Sequence, residues 1–304
     1  MGAFTSETVR RHAPGCWFPL SHAEAIRRHP RLQLRALCDV DADALRRAAA
    51  VHGVAATYVD LDRLLDEVHP PLLGIATRTI GRAALIRDAI AHGVRALHLE
   101  KPLCNSTREL ATIEALFAQS GVRVTYGALR RHFAPYRLAL ELAASGRYGA
   151  LREIRVNLGS GTLFWTHPHS VDLILFAAGN RAVAGVQARL AEVSAGASRC
   201  DILSDPRVIA ATIHFDDGLV GHVTQALGSD LVLSFSEGEI SVRSDGAAIE
   251  IYSTPEDAIY PVSTPFDLGS AASEPAGTLA AVSQLVRALD GDAAAIAENT
   301  IIKR

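Results

Sequence analysis

The stretch VRALHLEKPL (94–103) joins an apolar run to an acid, a base and a proline. Residues 94–100 predict a buried strand, and Pro102 ends it. Neighbouring residues on a strand point to opposite faces, so Glu100 and Lys101 do not pair with each other. The question is why charge collects at the end of a buried strand.

The flanking sequence supplies the context. LQLRALCD (32–39) and LLGIAT (72–77) predict two more buried strands, and VRVTYG (122–127) a fourth. Helices are predicted between them. DADALRRAAAVHG (41–53) stops at Gly53, and RAALIRDAIAHG (82–93) stops at Gly93. A third, over 107–120, opens with Ser106 and Glu109 as a capping box and ends at Gly121. Strand alternating with helix predicts a parallel sheet with helices on both faces, α/β in class.

The texture changes after about residue 150. In IRVNL (154–158), Ile154, Val156 and Leu158 alternate with Arg155 and Asn157. Residues 208–227 predict a hairpin turning at Asp217-Gly218, and short strands flank 237–238 and 245–246. A helix over 278–290 follows the loose stretch 263–277. The prediction is two domains, 1–128 and 129–304, the second α+β with an open, largely antiparallel sheet. An uncovered sheet face predicts a homodimer or homotetramer.

Composition excludes several classes. The chain has 304 residues, is 49% hydrophobic and carries a net charge of −3. Its arginines are scattered, so neither nucleic acid nor an anionic membrane is an expected partner. No apolar run spans a bilayer, and the amino terminus lacks a signal-peptide pattern. Four separated cysteines without CxxC spacing predict reduced thiols and a cytoplasmic location.

In a doubly wound sheet, ligands bind beyond the carboxyl ends of the strands. Asp39, Thr77, Glu100, Lys101 and Pro102 are expected there. Asp39 is suited to accept hydrogen bonds from a ribose 2′-hydroxyl and to repel a 2′-phosphate, which favours NAD over NADP. The alternative is a turn or helix-capping acid, a job open to Asp41 and Asp43 as well. Lys101 can bind a substrate hydroxyl and stabilise negative charge on its oxygen, or form a surface ion pair. Pro102 can lock the turn in cis.

A second informative segment is GSGTLFWTHPHSVDLILFAAG (159–179). Pro168 suits a helix's first turn. His169 and Asp172 then share one face, a candidate general base with an acid to fix its tautomer. The alternative is a histidine capping its own helix. His167 and His169 lack a third ligand at suitable spacing, so no metal is expected. Trp165 offers a face for stacking on a sugar ring or nicotinamide, and His167 joins it on the substrate side.

These blocks resemble the Gfo/Idh/MocA family of NAD(P)-dependent oxidoreductases. The likeness rests on the EKP of 94–103 before a capped helix, Asp39 after a strand, YGALRRHFAPY (126–136) and SGRYGALREIRV (145–156). The resemblance implies a sugar, inositol or related polyol as substrate and hydride transfer to NAD, with NADP as alternative. Lys101 and His169 would be catalytic, with Asp172 holding His169. Thr77, Glu100 and Pro102 would lie on the nicotinamide side, and Gly2 would match the third glycine of the phosphate turn. Three positions depart from the family. Trp165 stands for the acid of D-x-x-x-H-x-x-D, Arg82 for a histidine, and no strand precedes Gly2.

A Rossmann domain without its first strand is therefore expected, with weakened cofactor affinity. Either the chain is a trimmed version of a longer protein, or the short form has lost normal cofactor binding. It also stops at Arg304, where family members usually continue through a further helix. Two other functions stay open: a catalytically silent binding or regulatory protein, and an NAD-dependent glycoside hydrolase.

Overall fold

A computed structural model describes residues 2–3, 7–13, 17–179, 181–193, 204–274 and 277–302. The chain forms two compact units. The first gathers the described residues up to Gly127 together with those from Gly277 onward, and the second holds the stretch between. The sequence reading put the final helices in the second domain. They belong to the first, because their apolar faces pack on its sheet.

In the first unit the order is α1 (Glu7–His12), α2 (His22–Arg28), β1 (Ala36–Cys38), α3 (Ala42–His52), β2 (Ala56–Tyr58), α4 (Leu61–Val68), β3 (Leu72–Ile75), α5 (Arg82–Ala91), β4 (Ala96–Leu99), α6 (Thr107–Gln119) and β5 (Arg123–Tyr126). Local chemistry sets the helix ends. Asp41 caps α3 by accepting from the Asp43 and Ala44 amides, and Gly53 closes it at φ 65°. The Ser106 hydroxyl accepts from the Glu109 amide at 3.1 Å. Glu109 itself reaches the Ala83 amide at 3.2 Å, so its carboxylate ties α6 to α5 rather than completing a capping box.

β3, β4 and β5 form a parallel sheet in which Gly74 pairs with His98 and His98 with Thr125. Its core includes Ile75, Ile86, Leu97, Ile113 and Val124. Full burial of each such side chain stabilises by roughly 1.5–3 kcal/mol. β1 and β2 pair, also in parallel, as a separate two-stranded sheet. Among the described residues no strand links the two sheets. Gly2 and Ala3 bridge that space instead. A Cβ on Gly2 would lie 3.3 Å from Ala76. The Gly2 carbonyl accepts from the Ala23 amide at 3.0 Å, and the Ala3 carbonyl lies 2.9 Å from His52 Nε2.

The second unit contains α7 (Ala134–Ala144), β6 (Leu151–Asn157), α8 (Pro168–Ala178), β7 (Val183–Ala191), β8 (Arg207–Phe215), β9 (Val220–Thr224), β10 (Asp230–Phe235), β11 (Gly238–Arg243), β12 (Ala248–Ser253) and β13 (Val262–Phe266). Its strands form one open sheet in the order β13-β12-β11-β10-β6-β9-β8-β7. All pairings are antiparallel except β6 with β9, which makes the sheet mixed rather than a simple meander. The alternation read at 154–158 recurs across it. Ile154, Leu231, Leu233, Ile240, Val242 and Ile249 are fully buried. The opposite face carries ion pairs: Arg155 with Glu153 and Glu239, and Arg243 with Asp230 and Glu250. Helix α8 lies close on β9, where a Cβ on Gly221 would meet Ile174 at 2.3 Å, so only glycine fits.

The carboxyl-terminal helices are α9 (Gly277–Leu289) and α10 (Ala293–Ile302). Among the described residues, no helix is long and apolar enough to cross a membrane.

Candidate functional site

The end of β4 is a cis turn at Lys101-Pro102, gripped through its backbone. Glu100 is only 9% exposed. Its Oε1 lies 3.3 Å from His22 Nε2, and its Oε2 accepts from the Lys101 amide at 3.1 Å. A Cβ on Gly127 would come within 2.9 Å of that second oxygen, so β5 also closes over the carboxylate. Burial would raise the Glu100 carboxyl. The hydrogen bond and charge of His22, with His98 beyond, instead hold it well below the usual carboxylate range. Glu100 was expected to line the nicotinamide. Its carboxylate turns inward instead, a correction that follows from its need for donors in a buried site.

Arg82 opens α5 and is 1% exposed. Its guanidinium donates to the carbonyls of Thr77, Glu100 and Pro102, binding the ends of β3 and β4 together. Nothing local in the sequence announces this role of Arg82. Thr77 is exposed, and Lys101 and Pro102 are half-buried at the carboxyl edge of the sheet. A shallow groove of about 470 Å³, lined in part by Arg95, Arg123 and Leu289, lies at the amino ends of β4 and β5, away from these groups.

Asp39 stands exposed just past β1. Its amide donates to the Tyr58 carbonyl, and its Oδ1 accepts from the Asp41 amide at 2.9 Å. The turn thus engages one oxygen, while Asp41 does the helix capping. Gly2 is half-buried beside Ala76, at the end of β3.

In the second unit, Pro168 begins α8 as its residue type requires. His169 is half-buried in the first turn, its amide donating to the Thr166 carbonyl at 3.3 Å. Asp172 was expected to hold His169. Both its oxygens accept from Arg131 instead, Nε at 2.9 Å and a terminal nitrogen at 2.5 Å. Burial pushes the Asp172 carboxyl up, and Arg131 pulls it back. A buried carboxylate needs a cation more than a neutral imidazole, which is the reason for the change of partner.

His167 was expected on the substrate side. It is 2% exposed, with Nδ1 3.0 Å from the Ser170 hydroxyl, and burial lowers its pKa against the Gly161 backbone. Its ring fills the interior. Trp165 is 62% exposed. Asp205 steadies the loop carrying it, accepting from the Thr162 hydroxyl at 2.6 Å and the Phe164 amide at 2.7 Å. Neither Arg131 nor Asp205 was foreseen, and both lie about forty residues from their partners.

Residues 15–128 match the Gfo/Idh/MocA family, described as an oxidoreductase family with an NAD-binding Rossmann fold. Gly2 falls outside that match. Over 213 residues the chain is 27% identical to the 1-carboxy-3-chloro-3,4-dihydroxycyclohexa-1,5-diene dehydrogenase of Comamonas testosteroni. The alignment covers 64% of this chain and 51% of that protein, about half the relative's length. Among solved structures, an oxidoreductase domain protein from Kribbella flavida superposes with a TM-score of 0.72 at 23% identity, covering 90% of this chain and 86% of that one. A levoglucosan dehydrogenase in complex with NADH and levoglucosan gives 0.66 at 17% identity, over 78% and 71%. Residues 15–128 are therefore similar to the NAD-binding Rossmann domain of the Gfo/Idh/MocA oxidoreductases, and the chain as a whole shares the two-domain fold of these solved structures.

Proposed function

We propose that the chain transfers hydride between NAD and a hydroxyl-bearing carbon of a sugar-like or cyclitol-like ring. The observation that carries this reading is the rigidly held turn that presents Lys101 at the carboxyl edge of the parallel sheet. NAD, when bound, supplies the hydride acceptor. The residues fit such a cofactor. Asp39 keeps one carboxylate oxygen clear of the turn for a ribose diol, and exposed Thr77 lies at the next strand end. Its charge disfavours a 2′-phosphate, so NAD is preferred over NADP.

Lys101 donates to the substrate hydroxyl and stabilises the oxygen as its proton leaves. His169 accepts that proton. Asp172 acts on it indirectly, by anchoring α8 to Arg131, and Trp165 stacks on the ring. The relative named for a dihydroxylated ring, and the fold neighbour solved with levoglucosan, support a ring carrying adjacent hydroxyls. The charged face of the eight-stranded sheet is the surface proposed for self-association, in the cytoplasm, and sedimentation tests it.

The second reading is a binding protein of the same fold without turnover. NADH titration by fluorescence, followed by a screen of cyclic diols and sugars for NADH formation, separates the two. NADH binding with turnover supports the dehydrogenase. Binding of a ring substrate with no turnover and no NADH binding supports the silent protein.

A further inference from the structure

We propose that His22 is a positioning residue for the Lys101 turn, acting through the carboxylate of Glu100. The inference rests on the role given to Lys101 above, but its geometry belongs wholly to the first unit.

Helix α2 begins at His22, and its start is fixed on both sides. The Glu24 amide donates to the Ser21 hydroxyl at 3.2 Å, and the Ser21 amide to the Glu24 carboxylate at 3.3 Å. The imidazole therefore enters the sheet from a set point. β3 makes room for it with Gly74, where a Cβ would lie 2.9 Å from His22 Nδ1. Gly74 stands opposite His98, whose ring meets that of His22 at 4.3 Å between centroids. His98 is fastened in turn to the Thr125 hydroxyl at 2.9 Å. Three strands thus build a slot for one imidazole.

What the slot achieves is a directed hydrogen bond. A buried carboxylate accepts only, so His22 Nε2 must carry the proton that faces Oε1, 3.3 Å away. With Oε1 fixed, Oε2 is aimed at the Lys101 amide. Without the imidazole, Glu100 would be a buried charge short of a donor, free to rotate or to take up a proton, and its hold on the Lys101 backbone would loosen.

Three variants test this: His22→Leu, His22→Gln and Gly74→Ala, the last crowding the imidazole while leaving His22 and Glu100 in the sequence. Hydrogen exchange of the Lys101 amide is read on the cofactor-free chain, alongside NADH Kd and kcat with a ring diol. In His22→Leu, exchange should accelerate about tenfold and kcat should fall about tenfold with NADH Kd within about twofold, as expected for loss of one charge-assisted buried hydrogen bond. Gly74→Ala should move both in the same direction, and it serves as the test should His22→Leu fail to fold. His22→Gln keeps a donor and should recover most of both. Unchanged Lys101 exchange in His22→Leu overturns the proposal, as does accelerated exchange with kcat unaltered, or a Gln variant as impaired as Leu. A wild-type chain that turns over no substrate defeats the dehydrogenase reading instead, and the exchange data then decide the positioning claim alone.

Discussion

Asp172 and Arg131, forty-one positions apart, form a buried two-point ion pair that ties α8 to the 3-10 turn Leu129–His132. The guanidinium also sits over the Phe176 ring, 5.2 Å from its centroid. Removing one partner of such a pair leaves the other charge buried and alone. Asp172→Ala should lower unfolding free energy in urea by about 3–5 kcal/mol, and the double variant Arg131→Met/Asp172→Leu should recover much of it. A single-variant cost under about 1 kcal/mol would mean water reaches the pair.

Lys101→Met keeps the apolar stem and removes the charge. Its kcat should fall by roughly a hundredfold or more, while circular dichroism and the thermal midpoint stay near wild type. Turnover within a few-fold of wild type would end the assignment of Lys101 to the reacting oxygen.

Asp39→Ser keeps a short polar side chain and deletes the charge. NADH binding should weaken by about tenfold, roughly 1.4 kcal/mol, and the preference for NADH over NADPH should narrow. Fluorescence titration with both cofactors reads the ratio, and an unchanged ratio would reduce Asp39 to its contact with the Asp41 amide.

His167 gives a pH prediction with a definite sign. Burial depresses its folded-state pKa below the ordinary histidine value of about 6.5. Its contribution to stability is therefore complete above that value and is lost as pH falls through 6.5 toward the folded value. Unfolding free energy measured from pH 8 down to about 5 should decline, and His167→Gln should flatten the decline. Equal slopes in the two proteins would show that the ring titrates alike folded and unfolded.

Arg82→Met removes a buried cation that serves three carbonyls. Stability should drop by about 3 kcal/mol or more, since those carbonyls lose charge-assisted partners in a site closed to water. Chemical denaturation checks this, and a loss below about 1 kcal/mol would imply that solvent replaces the guanidinium.

The outline of the fold was readable because its signals are local. Asp41, Gly53 and Ser106 announce helix ends through their own side-chain or backbone chemistry, and the run 94–100 announces a strand through composition. β2 escaped because three residues, Ala56 to Tyr58, are too short to display a period. The parallel pairing of β6 with β9 escaped because register between distant strands leaves no mark on either. At the site, Lys101 and Trp165 were proposed from residue type and place, and they stand half-buried and exposed respectively. Glu100 and His167 were put on the wrong side of the surface, since a charged or titratable residue reads as solvent-facing until its donors are known. Arg131 and His22 act on groups tens of positions away, and Arg82 joins Thr77 to Glu100 and Pro102 eighteen and twenty positions on; no periodicity reports that.

The return of α9 to the first unit has a consequence for biosynthesis. Val282, Leu285 and Val286 are buried there, beneath β4 and β5, yet the ribosome makes them after the whole second unit. The central stretch can close its eight strands as soon as it emerges. The first unit, begun earlier, must wait with part of its apolar floor uncovered until α9 has been made. During that interval the nascent chain is most open to chaperone capture or to aggregation through the uncovered face of β4 and β5.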